Sequence, residues 1–235
     1  WSYDQCLPYF KEGENSDRGE DEWRGGSGNL GVSKGSFENP LFDAFEEAGR
    51  QSGLGYSEDL NGYNPEGIAR LDATRKHGRR CSAAIAHLKP ALARGNVTLL
   101  TKAQVLKINM TDNSVSGVTY KHKGKTHSVE ANKEVILSGG AINSPHLLML
   151  SGIGPSKQLR DHGIVVQIDL PGVGQNLQDH SCVILQYACK KSFPIHKVNQ
   201  PHRKLATGIR WVFTRKGIAT SNIWEAGGLI KSSSK

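Results

Sequence analysis

Three short stretches have residue types and spacing that could do chemistry. Glu134-Val135-Ile136-Leu137 is apolar enough for a strand and runs into Ser138-Gly139-Gly140-Ala141, then into a helix expected at 145–150. A strand, a tight glycine turn and a helix bring backbone N–H groups toward a bound phosphate or ribose. Gly26-Ser27-Gly28-Asn29-Leu30-Gly31 matches GxGxxG literally. Its context argues against a dinucleotide fingerprint, which needs an apolar strand before it and a helix after it. The acidic run at 17–22 precedes it, and a polar segment ending at Pro40 follows. Asp179-His180-Ser181 has the side chains of a hydrolase triad, but neighbours on a strand point apart and cannot relay a proton. His180 is therefore read as structural. Cys6, Cys81, Cys182 and Cys189 include no CxxC pair, and the nine histidines form no HxH or HExxH pattern. No metal site is expected, and the cysteines read as small buried apolar groups.

The elements that must position these residues follow from periodicity. Trp1, Tyr3, Leu7, Tyr9 and Phe10 suit a short amphipathic helix over 1–12, and residues 13–35 read as a loop. Leu41, Phe42, Phe45 and Ala48 share one face of a helix after Asn39-Pro40, ended by Gly53. Residues 81–92 are Ala-rich and helical, with Pro90 near the end or at a kink. From 96 the pattern becomes alternating and β-branched, which predicts a strand or strand pair, then a hairpin turning at Gly124. A basic helix over 157–162, strands at 164–168 and 181–188, an amphipathic helix over 204–213 and a last strand through Ile230 complete the reading. Helices and strands mix without strict βα alternation. That predicts α/β plus α+β, an α/β domain interleaved with an antiparallel-sheet domain.

Composition narrows the function classes. The 235 residues are 37% hydrophobic with a net charge of +8, enough for a sizeable core, and no apolar run is long enough to span a membrane. Residues 1–60 hold thirteen acidic and five basic residues, while the rest hold nine and twenty-five. The basic residues are dispersed and not interleaved with aromatics, so a solvated surface is expected and nucleic acid is not. The chain opens without Met and without a secretory leader, so it reads as a fragment, and the sequons at Asn96 and Asn109 read as chance matches.

Residues 134–155, from Glu134-Val135-Ile136-Leu137-Ser138-Gly139-Gly140 through Ser151-Gly152-Ile153-Gly154-Pro155, resemble the second signature of the glucose–methanol–choline (GMC) oxidoreductases. Leu170-Pro171-Gly172-Val173-Gly174-Gln175-Asn176-Leu177-Gln178-Asp179-His180, Leu7-Pro8-Tyr9-Phe10 and Leu88-Lys89-Pro90-Ala91-Leu92-Ala93-Arg94 extend the likeness along the chain. Glu58-Asp59-Leu60-Asn61-Gly62 and Glu225-Ala226-Gly227-Gly228 resemble the branch of the family that oxidises choline.

The resemblance implies an FAD enzyme that passes hydride from an alcohol to flavin N5. The substrate would be choline, giving betaine aldehyde, or another small alcohol or sugar. A flavin-free binding module is the alternative of another class. The resemblance further implies part of a Rossmann-like FAD-binding domain, mainly within 81–180, interleaved with an antiparallel-sheet substrate domain, to which 1–80 contributes mainly substrate-domain and connecting segments and 181–235 an incomplete substrate-binding part. Val105 would pair its backbone with the FAD adenine, or else be a core strand valine. Ser138, Gly139 and Gly140 would line the ribose or pyrophosphate, where absent side chains let the backbone approach. Trp224 and Glu225 would face the choline cation, which only a carboxylate and aromatic faces can compensate. Family members are much longer, so the N-terminal GxGxxG and the catalytic His would lie outside this piece. No catalytic base is assigned here, and the piece alone is expected to be inactive. A quinone-type electron acceptor, peripheral membrane association and a mitochondrial location, or a bacterial cytoplasmic or inner-membrane one, rest on the same resemblance.

Overall fold

A computed structural model describes residues 1–233 except Ser36, Ser192 and Pro194. The chain divides into two compact units, one formed by Trp1–Thr98 with Gln186–Lys235 and the other by Leu99–Leu185.

The Leu99–Leu185 unit is built on a three-stranded antiparallel meander, Ala103–Thr111, Ser114–His122 and Lys125–Glu130. Both connections are two-residue turns, Asp112-Asn113 and Lys123-Gly124, with positive φ at each of the four residues. That is the type I′ geometry whose twist matches the twist of antiparallel strands. The expected hairpin at Gly124 is present, and of residues 96–111 only Ala103–Thr111 forms a strand, a single one with register shifts rather than a pair. Behind the meander lies the helix Gly140–Leu150, which begins five residues before the expected start and carries Pro145 inside it. Pro145 lies in the second turn, so its missing N–H removes a single helical bond. The helix is tied to the sheet by Ser151. Its hydroxyl donates to Leu147 O (2.7 Å) and accepts the Ile108 N–H (2.8 Å), with Ile108 itself buried. A short parallel pair, Ile153–Gly154 with Ile168–Asp169, and the helix Ser156–Asp161 close the unit around buried Leu159.

The expected strand at 134–137 is extended chain without a ladder, and Ile136 is 76% exposed. No strand pairs with it among the described residues, and a strand exists only where a neighbour takes its N–H and C=O groups. Of the expected strand at 164–168 only Ile168 is paired, and 181–188 forms none.

In the other unit, Ser2 and Gln5 form a capping box that starts the helix Tyr3–Gly13. The expected loop at 13–35 contains two strands: Glu14–Ser16 pairs in parallel with Leu30–Lys34, which pairs antiparallel with Asp72–Ala73. The GxGxxG glycines serve this packing. Gly28 donates its N–H to Glu14 O (2.8 Å), and a Cβ on it would collide with the Gly13 backbone. The helix Pro40–Gln51 is capped by the Asn39 side chain and lays Gly49 on Ile68. Ile68 lies in the strand Gly67–Arg70, paired with Ala226–Leu229. Residues 81–92 are helical from Ala84, as a π turn Ala84–Leu88 leading into Lys89–Ala93. Pro90 lacks a donor for the preceding turn, and the wider π turn absorbs the mismatch.

Acidic side chains of this unit are answered by its own arginines. Arg18 forms a two-pronged pair with Asp72 (3.0 and 3.2 Å), Arg24 reaches Asp21 and Asp59, and Arg70 reaches Asp43 and Glu46. Of the cysteines, Cys81 is buried, Cys6 partly so, and Cys182 and Cys189 are exposed, against the expectation that all pack inside. His180 is exposed too, with its N–H donated to the Asp179 carboxylate (2.8 Å), so it packs into no core.

Candidate functional site

The Leu99–Leu185 unit brings the turn at 138–140 against the first strand of the meander. Gln104, Val105, Leu137, Ser138, Gly139 and Asn143 line a cleft of about 460 Å³, a size common for small-ligand sites. Val105 is 39% exposed there rather than packed in a core. Its register changes beside it, between Val105 and Lys107, which turns this part of the strand outward. Three of the four residues expected to hold a cofactor thus share one cleft. The fourth, Gly140, opens the helix with φ +87° and empty space where a Cβ would stand. Only glycine adopts that conformation freely, so the turn stays bare. One of its donors is already engaged, since the Gly139 N–H bonds Ser144 Oγ (3.0 Å). Gln104, Asn143 and Ser144 were not expected at this cleft. Asn143 and Ser144 lie one helical turn past the glycines, but an expected helix start at 145 hid that spacing.

Trp224 and Glu225, adjacent in sequence, part company in the fold. Trp224 is 75% exposed, whereas Glu225 is 1% exposed. Glu225 takes its place because its backbone C=O accepts the Leu71 N–H (3.0 Å) at the edge of the Gly67–Arg70 strand pair. Its carboxylate lies so close to Gly35 that a Cβ there would overlap Oε2. The partner of Oε1 is Arg75, also buried at 7% exposure, with Nη1 at 3.4 Å. Arg75 donates as well to Thr220 O (2.7 Å) and to Ser33 O (3.3 Å), while its Nε has no partner among the described residues. Two buried opposite charges in contact compensate each other's lost hydration, and removing either leaves the other unanswered in a low-dielectric interior.

Arg75 opens on a cleft of about 820 Å³ that Arg79, Arg80, Trp211 and Asn222 also line. The Trp211 indole donates to Gly78 O (2.9 Å) and is covered by the guanidinium of Arg215 at 4.2 Å. Residues 75–80 form a hairpin, Arg75–Lys76 with Arg79–Arg80, around a positive-φ His77-Gly78 turn. Strand alternation on that turn was the available signal: it sends Arg75 inward and Lys76 out.

No group of three or more His, Cys, Asp or Glu able to hold a metal occurs among the described residues. None of the described helices is long and apolar enough to cross a membrane.

Residues 1–182 match the GMC oxidoreductase family. Over 234 residues, 99% of this chain, 46% are identical to the oxygen-dependent choline dehydrogenase of Staphylococcus saprophyticus, of which 42% is covered. The mitochondrial choline dehydrogenase of Homo sapiens is 44% identical over 232 residues, 99% of this chain and 39% of that protein. The chain therefore spans about two fifths of the length of these curated relatives. Among solved structures, pyridoxine 4-oxidase from Mesorbium loti superposes with a TM-score of 0.68 and 34% identity, over 73% of this chain and 34% of that one. An FAD-dependent oxidoreductase from Chaetomium thermophilum gives 0.79 and 26% identity, over 94% of this chain and 41% of that one.

Proposed function

Because the chain belongs to the GMC oxidoreductases, we propose that the full-length protein carrying it oxidises choline to betaine aldehyde with FAD as the hydride acceptor. The observation that carries this reading is the 42–46% identity to choline dehydrogenases across nearly every residue of the chain. FAD supplies a two-electron acceptor, which no side chain of this sequence can replace. The residues present fit such a group. The cleft beside Val105 has an uncovered strand edge, small residues at Ser138 and Gly139, and a glycine at 140 that only absence of a side chain permits. Val105 would meet the adenine through its backbone, and Ser138, Gly139 and Gly140 would flank the ribose or pyrophosphate. This assigns residues 81–180 mainly to the FAD-binding domain and 1–80 with 181–235 to an interleaved substrate domain.

For the substrate, Glu225 supplies the negative charge and Trp224 the aromatic face that a quaternary ammonium requires once its water is stripped. Electrons would pass to a quinone-type acceptor, with peripheral attachment to a membrane. The Staphylococcus saprophyticus relative is named oxygen-dependent, so oxygen uptake with and without added quinone separates the two acceptors. An animal source would place the protein in the mitochondrion, and a bacterial one in the cytoplasm or at the inner membrane.

The decisive experiment is anaerobic addition of choline to the full-length protein while following flavin absorbance. Bleaching is expected. A yellow protein that choline leaves yellow would redirect the assignment to another alcohol or a sugar, and a colourless one to a binding role without flavin.

A further inference from the structure

The carboxylate expected to meet a cation already has one. Glu225 is closed off from solvent, and Arg75 occupies its Oε1. Arg75 lines the neighbouring cleft whereas Glu225 does not, and Arg79 and Arg80 line it too. The charge this cleft meets is therefore a guanidinium, and no carboxylate lines it among the described residues. The three contacts of Arg75 are unequal. Its bond to Thr220 O is 2.7 Å, that to Ser33 O 3.3 Å, and that to Glu225 the longest at 3.4 Å. The two carbonyls hold the guanidinium in place without neutralising its charge, which leaves the carboxylate as its counter-ion.

We infer that Arg75 is a positioning residue that sets how strongly the protein prefers a cationic alcohol over a neutral one. It holds Glu225 in an internal ion pair, and a substrate cation competes with it for the same carboxylate. The inference rests on the reading of Glu225 as the cation-facing residue. It adds that the preference is deliberately damped: with Arg75 neutral, the carboxylate has no counter-charge except the one a substrate brings. Buried charges are worth most when unanswered, so the effect is specific to charged substrates.

The test uses the full-length protein and compares kcat/KM for choline with that for its carbon isostere, in which a carbon replaces the ammonium nitrogen. Arg75→Gln keeps donors for Thr220 O and Ser33 O but removes the charge. It should raise the choline-to-isostere ratio roughly tenfold, one opposite charge at contact in a partly buried site. Arg75→Lys, which keeps the charge, should leave the ratio near that of the wild type. A merely structural role would lower both substrates together, and an unchanged or falling ratio in Arg75→Gln overturns the inference. Should Arg75→Gln fail to fold, Glu225→Gln is compared with Arg75→Met/Glu225→Gln. The single variant, left with an unanswered guanidinium, should reject choline several-fold more than the double, and equal ratios overturn the inference. If the wild type oxidises another alcohol but not choline, the functional reading fails on its own. Tetramethylammonium binding by calorimetry on the same variants then decides for Arg75: tighter binding in Arg75→Gln supports it, and unchanged binding sinks it.

Discussion

The two candidate sites are made of different materials. The one at 138–140 is a backbone site: a bare glycine turn, a helix start and an outward-turned strand edge, with one N–H already held by Ser144. The one at Glu225 is a side-chain site in which two buried charges satisfy one another. A backbone site keeps its shape when a side chain is changed, provided the turn can still form. A buried ion pair cannot lose one member quietly, because the other is left charged in a medium that will not solvate it. The first tolerates changes to the side chains around its glycines, though not to Gly140 itself, and the second does not tolerate loss of either partner.

That contrast can be broken most sharply at Glu225. Glu225→Leu leaves Arg75 without its counter-charge and should destabilise the protein by about 3–5 kcal/mol, read from urea denaturation. Arg75→Met added to it should recover much of the loss, and strictly additive losses would show that the pair is not coupled. The next effect belongs to Ser151. Ser151→Ala strands the buried Ile108 N–H and should cost about 1–3 kcal/mol, again by denaturation, although no charge is involved. At the backbone site itself, Gly140→Ala meets no neighbour but must adopt φ +87°. About 1–2 kcal/mol of strain is expected, with flavin retention on gel filtration reduced as the turn relaxes. Full retention with unchanged stability would mean the turn does not depend on that glycine.

The smallest effect sharpens the comparison from outside both sites. Asp21 loses some solvation through burial, but the N–H groups of Trp23 and Arg24 and the Arg24 guanidinium outweigh this and hold its carboxyl below the usual value. A lowered folded-state value adds stability above the unfolded-state value of aspartate and surrenders it as pH falls through the folded one. Asp21→Asn should therefore lower stability slightly at neutral pH and leave it unchanged at pH values below the folded-state value, which flattens the acid limb of the stability curve. An acid limb identical to the wild type would mean that Asp21 titrates as it does in the unfolded chain.

The backbone site was the more legible one in the sequence. Ser138-Gly139-Gly140 announces a place where side chains are unwelcome, and Lys123-Gly124 announces a hairpin, because both are local demands on φ. The helix after Asn39-Pro40 was legible for the same reason, through its cap and its apolar stripe. Arg75 was not, since its role depends on Thr220 and Glu225, more than a hundred residues away. The unpaired chain at 134–137 failed in the opposite sense. Its composition is that of a strand, but pairing belongs to two segments and composition to one. The strands inside 13–35 were missed because glycine and charge dominate that stretch, and its glycines turn out to admit neighbouring backbone rather than a phosphate.

The hydroxyl of Ser151 has one more consequence, in time rather than in energy. The Ile108 amide proton can exchange with solvent deuterium only when that hydroxyl lets go, and the hydroxyl is itself bound to the last turn of the helix that starts at Gly140. Opening that amide requires the far end of the helix to loosen. The exchange rate of this single proton is thus a clock for the helix whose other end borders the cleft, and slowing of that clock would report occupancy of the cleft without any measurement of colour or turnover.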